Sequence, residues 1–167
     1  MENNGLVKRV LPLAILLVLV SCSGVKTVGY SHKILLKEGC EMKFSALCNS
    51  DEERFIVVQL SSENLVFAPS PKLKIMIFGG KTLELQGEAL SSRPNDSAVL
   101  IGNIIVPISS TKSVAQFKID KSQIEALKGG IQKVQLSTVP FVHRKTFNRD
   151  KLGKRLYDML VAAGSDF

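Results

Sequence analysis

The side chains that could do chemistry in this 167-residue chain are few and scattered. The candidate bases are His143 and His32, and the candidate nucleophiles are Cys48 and Ser137. Asp150 and Asp51 could act as orienting carboxylates. None of them lies in a nucleophile elbow, a paired-histidine zinc motif or a phosphate-binding glycine loop. The sequence therefore predicts no catalytic residue, no cofactor and no metal site.

Positive charge is concentrated near the C-terminus, where Asp150 is the only carboxylate between residues 143 and 155. Such an excess can bind lipid phosphates, lipopolysaccharide, peptidoglycan carboxylates or an acidic partner. The alternative is a solvated helix face beside a polar loop. Next to His143, the candidate contacts for an anionic surface are Arg144, Lys145, Arg149, Lys151, Lys154 and Arg155.

The N-terminus has the pattern of a secretory signal peptide. A basic pair, Lys8 and Arg9, precedes 11 apolar residues from Val10 to Val20, and the small residue Ser21 follows. A helix of 11 residues is about 17 Å long, too short for a hydrocarbon core of about 30 Å. We therefore predict a cleaved signal over residues 1–21 and an exported chain.

The residues at the cleavage point carry a resemblance. Leu19-Val20-Ser21-Cys22 is similar to the lipobox of bacterial lipoproteins. That resemblance implies that Cys22 receives a diacylglyceryl group, becomes the first mature residue and anchors the chain in a membrane. No acidic residue follows in Ser23 to Lys26, which by the same resemblance implies an outer-membrane anchor with the domain facing the periplasm. The alternatives are an ordinary cleaved signal with an incidental Cys22, or a buried apolar helix.

Removal of residues 1–21 leaves 146 residues, which is the size of one domain. We expect a lipidated flexible tether over residues 22–32 and a single globular domain over 33–167. This mature part has 20 Lys and Arg against 14 Asp and Glu, a moderate excess suited to anionic surfaces. Export argues against a nucleic-acid partner.

Two cysteines remain after Cys22. An exported chain permits a disulfide between Cys40 and Cys48. If the residues between them form one extended strand, however, the two lie about 26 Å apart, whereas a disulfide needs Cα atoms within about 7 Å. The sequence leaves open a bond across a turn and a pair of buried free thiols.

Short runs rich in Val, Ile, Phe and Thr recur about every ten residues, which predicts a mainly β (α+β) domain with an antiparallel, sandwich-like sheet. The link 62–71 is irregular, and a short helix is expected over 121–128, stopped by Gly129-Gly130. The predicted strands are 33–37, 41–47, 54–60, 72–78, 82–86, 99–108, 115–119 and 134–138.

The sequence contains two candidate hairpin turns. Matching of faces around Gly79-Gly80-Lys81 favours a three-residue loop that sets Ile77 opposite Leu83 and Ile75 opposite Leu85. The polar stretch Ser91–Ser97 is a loop by composition. Because the run 99–108 is apolar on both faces, Gly102-Asn103 within it is either a tight turn or a bulge.

The strongest helical pattern covers Arg149–Ala163, with Asn148 as the expected N-cap. Five apolar residues form a stripe that should dock on the sheet, and Gly153 at its edge indicates a close backbone. The stripe consists of Leu152, Leu156, Met159, Leu160 and Ala163.

These patterns favour a non-catalytic binding or adaptor module for a glycan, a peptide or a protein. The alternative is an inhibitor or structural protein of the cell envelope that inserts a loop such as Ser91–Ser97 into a partner. The order of elements from Phe117 to Tyr157 is similar to that of small secreted lipoproteins without an assigned activity, and this resemblance assigns no residue role.

Overall fold

A computed structural model describes residues 26–35, 40–101 and 103–164 of the chain. The predicted signal peptide and Cys22 lie outside the described residues. Within them the elements are β1 (Lys26–Leu35), β2 (Glu41–Cys48), β3 (Arg54–Ser62), β4 (Val66–Phe67), β5 (Lys72–Ile77), β6 (Thr82–Ile101), β7 (Ile104–Ile119), α1 (Lys121–Ala126), β8 (Ile131–Leu136), β9 (Thr138–Val139), β10 (His143–Thr146) and α2 (Gly153–Gly164).

The strands form one curled, antiparallel eight-stranded sheet in the order β1-β2-β3-β7-β6-β5-β8-β10. The short strands β4 and β9 pair separately. A mainly β domain with a short helix and a C-terminal helix was predicted, and this prediction is confirmed. Alternation explains the architecture, because every second residue of β2, β3 and β5 is buried on the inner face of the sheet.

Strand β1 begins earlier than the sequence indicated. Its first residue, Lys26, pairs with Cys48 of β2. The prediction of a flexible tether over residues 22–32 and of a domain starting at residue 33 is therefore wrong from Lys26 onward. Backbone pairing with β2 outweighs the polar, glycine-containing character of this segment.

Phe117 of β7 lies at the centre of the core and is fully buried. Its ring meets that of Phe67 edge to face, with centroids 6.3 Å apart, so the small β4–β9 sheet packs on the inner face. Gly87 is opposite Phe117 in the neighbouring strand, where a Cβ would lie 2.5 Å from the ring carbons. The absence of a side chain at residue 87 makes room for the ring.

The β5–β6 hairpin has the predicted loop length but a different register. Ile75 pairs with Leu83, and Leu73 with Leu85, two residues away from the prediction. The loop comprises residues 78–80 because the N–H of Ile77 donates to the carbonyl of Lys81. Gly79 and Gly80 take the positive φ values of 96° and 94° that this turn requires. A shift of two residues keeps each side chain on its predicted face.

The stretch Ser91–Ser97 is not a loop but part of the 20-residue strand β6. It pairs with β7 as far as Ile101 opposite Ile104, so the tight-turn alternative at 102–103 is correct. Pro94 is tolerated because β6 beyond Gly87 has only one neighbouring strand among the described residues. A bulge at Leu90, between the pairs formed by Ala89 and Ser91, offsets the two halves of the strand.

Both predicted helices are present. Asp120 caps α1 in a capping box with Gln123, and a 3₁₀ turn over Leu127–Gly129 follows. The predicted apolar stripe of the C-terminal helix is buried. Gly153 packs as expected, because a Cβ there would lie 2.8 Å from the Cα of Gly130.

The start of α2 differs from the prediction of Arg149 and an Asn148 cap. The helix begins at Gly153, and the carboxylate of Asp150 accepts hydrogen bonds from the N–H groups of residues 152, 153 and 154. The same carboxylate accepts from the N–H of Ile131 at 3.0 Å. Asp150 thereby fixes the turn before α2 to the start of β8, which delays the helix.

Candidate functional site

Strands β6 and β7 extend past the rest of the sheet as a two-stranded arm. The last residue of β3, Ser62, pairs with Thr111, and Thr111 pairs with Pro94 on its other side. Beyond that level seven further residue pairs continue to Ile101 and Ile104, which corresponds to about 23 Å at about 3.3 Å per residue. We call residues 95–101 and 104–110 the arm.

The arm divides into a polar shaft, residues 95–97 and 109–110, and an apolar tip, residues 98–108. In the shaft, Ser109 donates to Asp96 at 2.7 Å, and Asn95 donates to Ser110 at 3.2 Å across the strands. The sequence from Ala98 to Ile108 contains no charged residue. Leu100, Ile104 and Ile105 are 68%, 68% and 70% exposed. Leu100 is opposite Ile105 on one face and Ile104 lies on the other, so both faces of the tip carry an exposed apolar side chain, as contact sites often do.

A second apolar surface lies at the base of the arm. Ser62, Asn64 and Leu65 form one wall of a cleft of about 470 Å³, and Pro140 with Phe141 forms the other. Val139 at the end of β9 and Phe141 and Val142 in the loop that follows are between 43% and 48% exposed. Since Ser62 pairs with Thr111, the cleft and the arm belong to the same end of the sheet, which we call the arm end.

The arm end contains most of the exposed apolar side chains. Of the eight large apolar side chains exposed among the described residues, six lie on the arm or in the segment 139–142. The remaining two are Leu90 at the bulge and Val161 on α2. The apolar contact surface of the described domain is therefore at one end.

Four of the six predicted basic residues meet around the start of α2. Arg149, Lys151, Lys154 and Arg155 are exposed and line an open depression together with Asp150 and Asp158. Four cations against two carboxylates give this surface a net charge of +2. We call these six residues the basic surface.

Asp150 has a structural role within the basic surface. Burial raises the pKa of its carboxyl, but the hydrogen bonds from four backbone N–H groups outweigh burial and hold the pKa below its usual range. The carboxylate is thus ionised at neutral pH and occupied by the backbone. Asp150 is therefore part of the fold at the start of α2, and the positive charge of the basic surface comes from its Lys and Arg side chains.

Arg144 and Lys145 do not join the other four basic residues on one face. They occupy successive positions of strand β10, with Arg144 opposite Gln135 and Lys145 opposite Val134. Successive strand residues point to opposite faces of a sheet, and Val134 is buried on the inner face. The predicted contiguous set of six is therefore divided, because residues 143–146 form a strand that the sequence did not indicate.

The nucleophiles and bases considered from the sequence do not form a catalytic arrangement. His143 is opposite Leu136 and shares its face of the sheet. Ser137 follows Leu136 directly and therefore belongs to the other face. Cys48 ends β2 and Asp51 lies in the turn that follows, at the opposite end of the sheet from the cleft. His32 lies in β1, opposite Phe44.

The two cysteines left open by the sequence are free and buried. Cys40 directly precedes β2 and Cys48 ends it, so one extended strand separates them, as the distance estimate assumed. Of the two alternatives, the structure has the pair of buried free thiols and not the Cys40–Cys48 disulfide. Burial raises the pKa of the Cys40 thiol, although a hydrogen bond with the Ser62 side chain opposes this effect.

No metal-binding group of three or more His, Cys, Asp or Glu side chains occurs in the described ranges. Within those same ranges, every helix is too short or too polar to cross a bilayer. Comparison with protein-family models, with curated proteins and with solved structures finds no match to the chain.

Sequence reasoning located the basic surface in part and left a hairpin at Gly102-Asn103 as one of two alternatives, but it predicted a loop over Ser91–Ser97, where the shaft of the arm begins. The polar residues of the shaft resemble a loop in composition, and the tip lacks the alternation that identifies a strand. The signal that could have found the arm is symmetry around Gly102-Asn103, since apolar residues flank this pair and Ser-rich segments follow on both sides.

Proposed function

We propose that this chain is an envelope lipoprotein, anchored through Cys22, whose domain is a non-catalytic binding module that presents the arm end to a protein partner. The observation that carries the proposal is the concentration of exposed apolar side chains on the arm and around the cleft. The lipobox-like sequence that ends in Cys22 supports the anchor.

The chemistry of the arm end favours a protein over a glycan or a lipid. The described exposed side chains at the tip are aliphatic, whereas sugar sites commonly use aromatic faces. Both edges of the arm carry backbone groups without a third strand among the described residues, and open strand edges are excluded from hydrocarbon. A protein can offer both an apolar pocket and a strand to pair with such an edge.

Insertion of the arm into a partner's cleft is the second candidate function, that of an inhibitor or structural protein of the envelope. It differs from the loop insertion expected at Ser91–Ser97, because the inserted element is now a paired hairpin. The uncharged tip of Ala98–Ile108 favours this version, since it can enter an apolar cleft without burying a charge.

Affinity capture from an envelope extract tests the binding surface. The wild-type chain should retain one stoichiometric protein, and a variant with Leu100→Ser, Ile104→Ser and Ile105→Ser should lose it. Val161→Ser, at the exposed apolar position on α2, is the control and should retain the partner. Equal retention by the arm variant would contradict the proposal.

Metabolic labelling with a fatty acid tests the anchor separately. The wild-type chain should carry the label and Cys22→Ala should not. A chain without label, or equal label on both proteins, would remove the anchor from the proposal.

A further inference from the structure

The basic surface lies at the end of the sheet opposite the arm. Lys26 pairs with Cys48, Cys48 with Arg54, and Arg54 with Ile119, so these four residues mark one end across four strands. The last residue of α2, Gly164, lies against the guanidinium of Arg54. The first, Gly153, lies against Gly130, at the turn between α1 and β8. Both ends of α2 thus belong to this end, which we call the helix end.

The chain enters the domain at the same helix end. Lys26 is its first described residue, and Cys22 precedes it by four residues, a span of at most about 14 Å when fully extended. An anchor at Cys22 would therefore bring the helix end within contact of the headgroup layer. This step rests on the proposed function.

We propose that the basic surface docks on the anionic phospholipid headgroups of the leaflet that holds the acyl chains of Cys22. Charge complementarity supports this occupant, because Arg149, Lys151, Lys154 and Arg155 surround the start of α2. Each Lys or Arg close to a negatively charged leaflet strengthens binding about fivefold.

Charge at the helix end is divided, and this division sets the orientation. The β2–β3 turn contributes Asp51, Glu52 and Glu53, of which Glu53 pairs with Lys118. A negative leaflet repels this turn and attracts the start of α2, so the domain tilts onto the basic surface. From Ile119 to Ile104, β7 spans 15 residue steps, about 50 Å, so the tip of the arm points away from the membrane.

Vesicle co-sedimentation tests the docking without the anchor. The processed chain from residue 22 onward, carrying Cys22→Ser, should bind vesicles of equal phosphatidylcholine and phosphatidylglycerol and not vesicles of phosphatidylcholine alone. Lys151→Glu with Lys154→Glu should weaken this binding at least about 25-fold, because two contributing cations are lost. Glutamate in the first turn of a helix is favourable, so α2 should persist.

The matched control changes the same charge at the other end. Arg93 and Lys112 form an exposed pair below the arm, and their double change to Glu should alter binding less than about twofold. Equal loss in both double variants, or no preference for the anionic vesicles, would overturn the proposal. If the glutamate variant does not fold, the neutral pair Lys151→Gln and Lys154→Gln gives the same test.

Competition by inorganic phosphate and fatty-acid labelling separate the remaining outcomes. Inorganic phosphate should compete no better than chloride at equal ionic strength; preferential competition would indicate a discrete phosphate site and overturn docking on a leaflet. Vesicle binding without fatty-acid label on the wild type would remove the anchor but keep the surface. Fatty-acid label on the wild type without a preference for anionic vesicles would keep the anchor and remove the docking surface.

Discussion

The arm and the sheet beneath it are built from the same two strands but obey different rules. On the side of Gly87 and Phe117 that is away from the arm, every second side chain of β6 and β7 is buried in the core. Beyond Thr111 they have no third strand within the described chain, and Leu100, Ile104 and Ile105 are mostly exposed. One strand pair thus contributes to the core at one end and exposes apolar side chains at the other. The difference indicates that substitutions at the tip and in the core should have separate effects, on the proposed binding and on stability.

The largest effect on stability should come from Phe117→Ala. Phe117 is fully buried and contacts Phe67, so truncation should lower the free energy of unfolding by about 3–5 kcal/mol. Chemical denaturation measures the change. Phe141→Ala, the same substitution at a half-exposed position, is the control and should cost much less. Similar losses at both positions would mean that the core is not where the structure places it.

An intermediate effect should come from Asp150→Asn, at about 1–2 kcal/mol, because the capping carboxylate loses its charge and one acceptor oxygen. The pKa of Asp150 is lowered in the folded state, so its stabilisation is present above the ordinary value of about 3.9 and is lost as the pH falls below it.

Denaturation at several pH values checks the sign of this effect. The difference between wild type and variant should stay constant from about pH 7 to pH 5 and shrink below about pH 4. Asp158→Asn, on the same basic surface, should change stability by less than about 0.5 kcal/mol. A difference that grows on acidification would contradict the assignment of Asp150.

The smallest effect on stability should come from the tip of the arm. Leu100→Ser should change the free energy of unfolding by less than about 0.5 kcal/mol, because the side chain is already exposed. Leu85→Ser, the same change in the buried half of the same strand, should cost several kcal/mol. A loss above about 2 kcal/mol at Leu100 would show that the tip is packed.

The sequence predicted what depends on local alternation. The buried faces at the end of β7 and on α2 follow from spacing alone. The faces of β5 and β6 do so too, since an error of two residues in their register left them unchanged. The arm could not be predicted in the same way, because its shaft has the composition of a loop and its tip is apolar on both faces. The basic surface was predicted only in part, since strand β10 separates Arg144 and Lys145 from the start of α2.

The bulge at Leu90 decides which face each side chain of β6 takes in the arm. Because side chains alternate, the deletion or insertion of one residue in β6 between its core half and the arm would exchange the two faces of β6 in the arm and leave those of β7 unchanged, whereas a change of two residues would keep both strands on their present faces. Homologous chains should therefore vary here in even steps, and an odd step should occur only together with a compensating residue in β7.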